Sequence, residues 1–162
     1  MKVGITGHRT FANQNQLLWA KDSLSSQIEQ LDAIQGLTSL AIGADQIFAE
    51  LLIERGHDYI YIEPCKLYET TFSIPERVLF RKLRLTAKSI VDVPYIEPCD
   101  EAYMEAGVVL VDMADLIFAV WDGKPARGLG GTSDVVQYAL STGTPVTHID
   151  VTQMQIFNLN SR

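Results

Sequence analysis

The run Leu116-Ile117-Phe118-Ala119-Val120-Trp121 places six apolar side chains in succession with no polar residue between them. A strand with one face in water alternates polar and apolar residues, whereas an unbroken run marks a strand covered on both faces in the middle of a parallel sheet. Such a strand requires neighbours on either side and helices above and below. The remaining segments have to supply them.

They alternate accordingly. Lys2 to Thr6 reads as a short strand ending in Gly7, His8 and Arg9, and Gln14 to Leu31 places Leu17, Leu24, Ile28 and Leu31 at helical spacing. Leu37 to Ile42 gives a second strand, broken by Gly43 and Ala44, with Asp45 as cap of a helix that stops at Gly56. Asp58 to Ile62 gives a third strand, and Pro75 opens a helix at its N1 position, with Val78, Leu79, Leu83, Ala87 and Ile90 along a stripe. Val91 to Tyr95 fits a short edge strand, Asp100 and Glu101 open a helix to about Met113, and Thr132 to Ser141 and Pro145 to Asp150 form the last helix and strand. The expectation is an α/β, Rossmann-like open parallel sheet of five or six strands with helices on both faces, built as one domain over residues 1–150, with 151–162 as a C-terminal tail.

With 162 residues, a hydrophobic fraction of 47% and 20% charged residues, the chain fits a single globular core. The first residues run directly into a strand without a basic n-region or signal-type apolar stretch, and Asp112 and Asp115 interrupt the apolar runs, so a soluble cytoplasmic protein without membrane contact is expected. A net charge of -7 argues against nonspecific binding of nucleic acid. The basic residues Arg77, Arg81, Lys82, Arg84 and Lys88 of the third helix read as a solvated face, an interaction patch being the alternative. Cys65 and Cys99 read as reduced thiols in loops, with no spacing that suggests a metal, and no cofactor is implied.

In an open α/β sheet, ligands collect outside the carboxyl ends of the strands where the strand order reverses. With the order 3-2-1-4-5 that crevice lies between the Lys2 and Leu116 strands, and three unusual loops end there. Gly7, His8 and Arg9 form the first, and Gly43, Ala44 and Asp45 lead into a helix N-terminus in the second. The third is the most distinctive. It runs from Trp121 and Asp122 through Lys124 and Arg127 to Gly128, Gly130, Gly131, Thr132 and Ser133, so bare N–H groups, hydroxyls and two cations can surround an oxyanion. At about ten residues it is longer than the connection needs. It has neither the dinucleotide fingerprint nor a Walker loop. Trp121 offers a stacking surface or rim packing.

Val3-Gly4-Ile5-Thr6-Gly7-His8-Arg9, Gly43-Ala44-Asp45, Ala114-Asp115-Leu116-Ile117 and Gly130-Gly131-Thr132 together resemble the SLOG superfamily, which joins Lonely-Guy-type phosphoribohydrolases, Smf/DprA DNA-processing proteins and nucleotide-sensing domains. The resemblance covers residues 1–150 and implies a Rossmann-like fold, a small nucleotide-like ligand with its phosphate on the Gly130 turn, and a homodimer. The carry-over is incomplete. The Glu that Lonely-Guy enzymes place three positions after the Thr falls at Val135, and their Arg-Lys pair falls at Gly107-Val108. The nucleophilic Glu of the 2-deoxyribosyltransferases also falls at Val135. The favoured reading is binding or sensing of a phosphate-bearing, nucleotide-derived ligand. The alternative is a phosphoribohydrolase-like N-glycosidase in which Asp134, Glu105 or Glu101 takes the acidic role.

Overall fold

A computed structural model describes residues 1–126 and 128–160. The chain forms β1 (Lys2–Gly7), α1 (Gln14–Glu29), β2 (Gln35–Thr38), α2 (Ala44–Glu54), β3 (Asp58–Glu63), a 3-10 turn (Tyr68–Thr71), α3 (Ile74–Thr86), β4 (Ser89–Asp92), α4 (Asp100–Met113), β5 (Leu116–Trp121), α5 (Thr132–Thr142), β6 (Val146–Asp150) and β7 (Gln155–Leu159). The strands make one sheet in the order β4-β3-β2-β1-β5-β6-β7, parallel except for β7, which returns antiparallel to β6. This is the expected α/β, Rossmann-like arrangement, with seven strands where five or six were expected.

The apolar run Leu116–Trp121 is β5, between β1 and β6, and its side chains divide by parity. Phe118 and Val120 join the core under α1, α2 and α3, while Ile117, Ala119 and Trp121 join the core under α4 and α5. Successive residues of a strand face opposite ways, so a run apolar at every position can serve two layers at once. Local signals set the helix ends. Ser73 and Glu76 form a reciprocal capping box at the start of α3, where Ile74 takes N1 and Pro75 follows it.

Two strand positions differ from the sequence expectation. β2 ends at Thr38 instead of continuing to Ile42, because Leu40 turns into the left-handed region at φ 56°. That turn is held by Leu40 N–H on Thr38 Oγ1 at 3.0 Å and by Gln46 Nε2 on the Leu40 carbonyl at 3.2 Å. Leu40 is fully buried, so its apolar character serves a loop packed on the core. β4 lies at Ser89–Asp92, ahead of the expected Val91–Tyr95, since Val93 N–H bonds back to the Glu63 carbonyl and Tyr95 turns away to meet Lys66.

Among the described residues, no helix is long and apolar enough to cross a membrane. On the basic helix, Arg81 pairs with Glu69 and Arg84 with Glu63, Arg77 donates to the Phe72 carbonyl, and Lys88, just beyond the helix, pairs with Asp58.

Candidate functional site

The order reverses between β1 and β5, and at the carboxyl ends of these two strands lies an open cleft of about 1150 Å³. His8 ties its floor together. Its own N–H donates to the Val120 carbonyl at 2.9 Å, its carbonyl accepts from Ala44 N–H at 3.1 Å, and its Nε2 accepts from Asp122 N–H at 3.2 Å. The first, second and third loops of the sequence reading thus meet at one residue. Gly43 permits the approach: it sits at φ +89°, and a Cβ there would come within 2.3 Å of the His8 carbonyl oxygen. Gly43 and Ala44 stand behind the cleft as support, whereas Gly7, His8 and Arg9 line it.

The third loop closes the other side. Gly130, at φ +84°, lies against α4, where a Cβ would be 2.6 Å from Met104 N, and its N–H donates to Asp134 Oδ2 at 3.0 Å. Gly128, Gly130, Gly131, Thr132 and Ser133 all border the cleft. As the first residues of α5, Thr132 and Ser133 have no intrahelical acceptor for their N–H groups, and the positive end of the helix dipole lies there. Lys124 and Asp122 line the same wall. Burial works to raise the Asp122 carboxyl, but the Lys124 N–H bond and the charges of His8 and Lys124 outweigh it and hold the group below the usual range. Trp121 is 8% exposed, donates its indole N–H to the Lys124 carbonyl at 2.8 Å and packs with its ring 4.3 Å from that of His148. It lines the cleft while bracing the loop. Arg127 lies outside the described residues.

Arg9 carries its guanidinium 5.8 Å from the ring centroid of Tyr103 and has no carboxylate within ion-pairing distance among the described residues. Asp45 is 6% exposed. It is not the N-cap of α2, which is Gly43; it sits one residue inside the helix, and its Oδ2 accepts from Thr38 Oγ1, Ser39 N–H and Ala41 N–H at 3.2–3.4 Å. Burial pushes its pKa up to about 6, against the lowering effect of those bonds and of Arg9.

The acids named from sequence are placed elsewhere. Asp134 is engaged by Gly130, and Glu101 and Glu105 are exposed and do not line the cleft, because α4 turns Asp100, Tyr103 and Gly107 toward it. A helix advances about 100° per residue, so a difference of one position selects the face. Asp100, Tyr103 and Tyr68 are lining residues that sequence reasoning missed. Burial, and after it the Asp45 charge, drive the Tyr68 hydroxyl well above the usual tyrosine range, so it remains protonated. Gly107 and Val135 are in contact: a Cβ on Gly107 would lie 2.7 Å from Val135 Cγ2. Among the described residues no three His, Cys, Asp or Glu side chains group as metal ligands.

No family model matches the sequence, and no curated protein matches it as a relative. Solved structures do resemble the fold. DNA processing protein A from Streptococcus pneumoniae superposes with a TM-score of 0.66 at 12% identity over 91% of this chain and 49% of its own. The Helicobacter pylori protein of that name gives 0.62 at 16% identity over 94% and 70%, and the molybdenum cofactor carrier protein of Chlamydomonas reinhardtii gives 0.56 at 14% over 91% and 74%. The chain spans about half the length of the Streptococcus pneumoniae protein. The likeness is one of fold, an open α/β Rossmann-like sheet.

Proposed function

We propose that the chain binds, or senses, a small phosphate-bearing ligand derived from a nucleotide in the cleft between β1 and β5. One observation carries this reading: the glycine turn and the N-terminus of α5 border the same cleft as Arg9, a cation without a carboxylate partner among the described residues. Helix N-terminal N–H groups with a nearby cation form an anion site even in an acidic protein. A carrier of molybdenum cofactor among the structural neighbours supports a small-ligand role.

The N-glycosidase alternative finds less support. Cleavage through an oxocarbenium-like state needs an acid near the ribose; the three acids named for it are outside the lining, so the reaction would have to use Asp45, Asp100 or Asp122 instead, and Gly107 and Val135 fill the positions of the usual catalytic side chains with an apolar contact. The expectation of no nonspecific nucleic-acid binding finds no support in the comparisons. The Helicobacter pylori neighbour is described as binding single-stranded DNA, so a single-stranded oligonucleotide belongs among the ligands to be tried.

Thermal unfolding with a panel of nucleoside monophosphates is the test. A ligand at a hundred times its Kd adds about 2.7 kcal/mol. Gly131→Val should abolish that shift while the protein stays folded, since the added side chain crowds Ala126, whose Cβ would be 2.9 Å away. Absence of any shift across the panel would sink the reading, and release of free base would move the conclusion to the glycosidase.

A further inference from the structure

The carboxylate of Asp45 is used unevenly. Oδ2 accepts all three of its hydrogen bonds, from Thr38, Ser39 and Ala41, whereas Oδ1 accepts none from the described residues. The residue is more than nine-tenths buried and lines the cleft. Among the described residues the buried side-chain polar atom without a partner is the Tyr61 hydroxyl, so Oδ1 keeps an opening to the cleft, where a ligand donor can replace water. Arg9 does not pair with it within 4 Å, and the Tyr68 hydroxyl donates no hydrogen bond to it.

The position of this oxygen also divides the cleft chemically. Two helix N-termini, those of α2 and α5, approach it, and each would ordinarily attract an anion. At α2 the Asp45 carboxylate already occupies the loop N–H groups of Ser39 and Ala41, so a ligand phosphate there would meet a like charge. At α5 the glycine turn is open. The ligand is thus oriented, with its phosphate at α5 and its other end toward α2.

Resting on the phosphate reading above, we infer that Asp45 Oδ1 accepts a hydrogen bond from the end of the ligand remote from its phosphate. The cleft then selects a phosphate monoester carrying hydroxyl or amino donors and disfavours a ligand with a second anionic group at that end. Asp45→Asn is an informative variant because the backbone N–H groups of Ser39 and Ala41 require an oxygen at the Oδ2 position. The amide nitrogen must then take the place of Oδ1, which exchanges an acceptor for a donor and leaves the loop bonds in place.

Binding of adenosine monophosphate, its 2′,3′-dideoxy analogue, inosine monophosphate and inorganic phosphate is measured by calorimetry on the wild-type chain and on Asp45→Asn. Adenosine monophosphate should bind the variant about tenfold or more weakly, as expected for a hydrogen bond to a charged group, with inorganic phosphate unchanged. On the wild type, one of the two analogues should show a similar loss and identify the donor as ribose hydroxyl or base amine. Equal binding of all three monophosphates to the wild type overturns the inference whatever the variant does. If adenosine monophosphate binding is lost in Gly131→Val but the analogues are equivalent, the phosphate site stands and only the role of Asp45 falls. If no phosphate compound binds the wild type, both fall together.

Discussion

Asp45 carries a cost that pH can reveal. Burial pushes its carboxyl up to about 6 in the folded chain, above the ordinary aspartate value of 3.8, so between these values the folded state holds more protons than the unfolded one. Unfolding free energy therefore falls as pH rises from about 4 to 6, by on the order of 2–3 kcal/mol in total, and the loss is complete above the folded value. Asp122, with its carboxyl lowered, acts in the opposite sense, gaining stability as pH rises above its folded value. Comparing the wild type with Asp45→Asn isolates the first effect. The variant should gain on the wild type across pH 4 to 6 in denaturant titrations, and parallel curves would show that the carboxylate is not penalised. Leu40 belongs to the same loop that Asp45 ties down, and a buried non-glycine residue at φ 56° persists only where surrounding bonds hold it.

At the level of elements, the contact of Gly107 with Val135 sets how closely α4 and α5 approach. Gly107→Ala should gain about 1 kcal/mol from helix propensity, yet its Cβ would meet Val135 at 2.7 Å, and overpacking costs about 1–3 kcal/mol. Net destabilisation is expected. Val135→Ala in the same chain should restore part of it, giving a coupling of about 1 kcal/mol in a double-mutant cycle; additive effects would mean that the helices do not share this contact. The helices themselves were legible in sequence, α4 and α5 nearly to the residue, because their apolar spacing and end signals agree. β2 was not, since Leu37, Leu40, Ala41 and Ile42 are apolar whether the segment pairs in a sheet or packs as a loop. Nor was the cleft face of α4: Asp100, Glu101 and Glu105 have the same chemistry, and only the packing phase of the helix decides which carboxylate faces inward. The three loops were found because glycine and the switch-point rule both point to them, whereas nothing in the local pattern singles out Tyr68 or Tyr103.

The sheet as a whole has two different edges. β4 is short, with Ser89 and Asp92 at its ends, a form that discourages further pairing. The other edge is β7, which covers the fully buried β6 (Val146 to Asp150) through an antiparallel return that the weak pattern of residues 151–162 did not disclose. Removing residues 152–162 should leave β6 as an open edge and convert the chain into aggregates, seen as loss of the monomeric or dimeric species in sedimentation; a truncated chain with unchanged size distribution and melting temperature would contradict this. The same whole-molecule view applies to His8, where three loops from distant parts of the chain are joined by the folding of β1 against β5. The entropy of ordering the cleft floor is then spent before any ligand arrives. Encounter rates should consequently vary little among phosphate compounds, and discrimination should reside in how long each one stays.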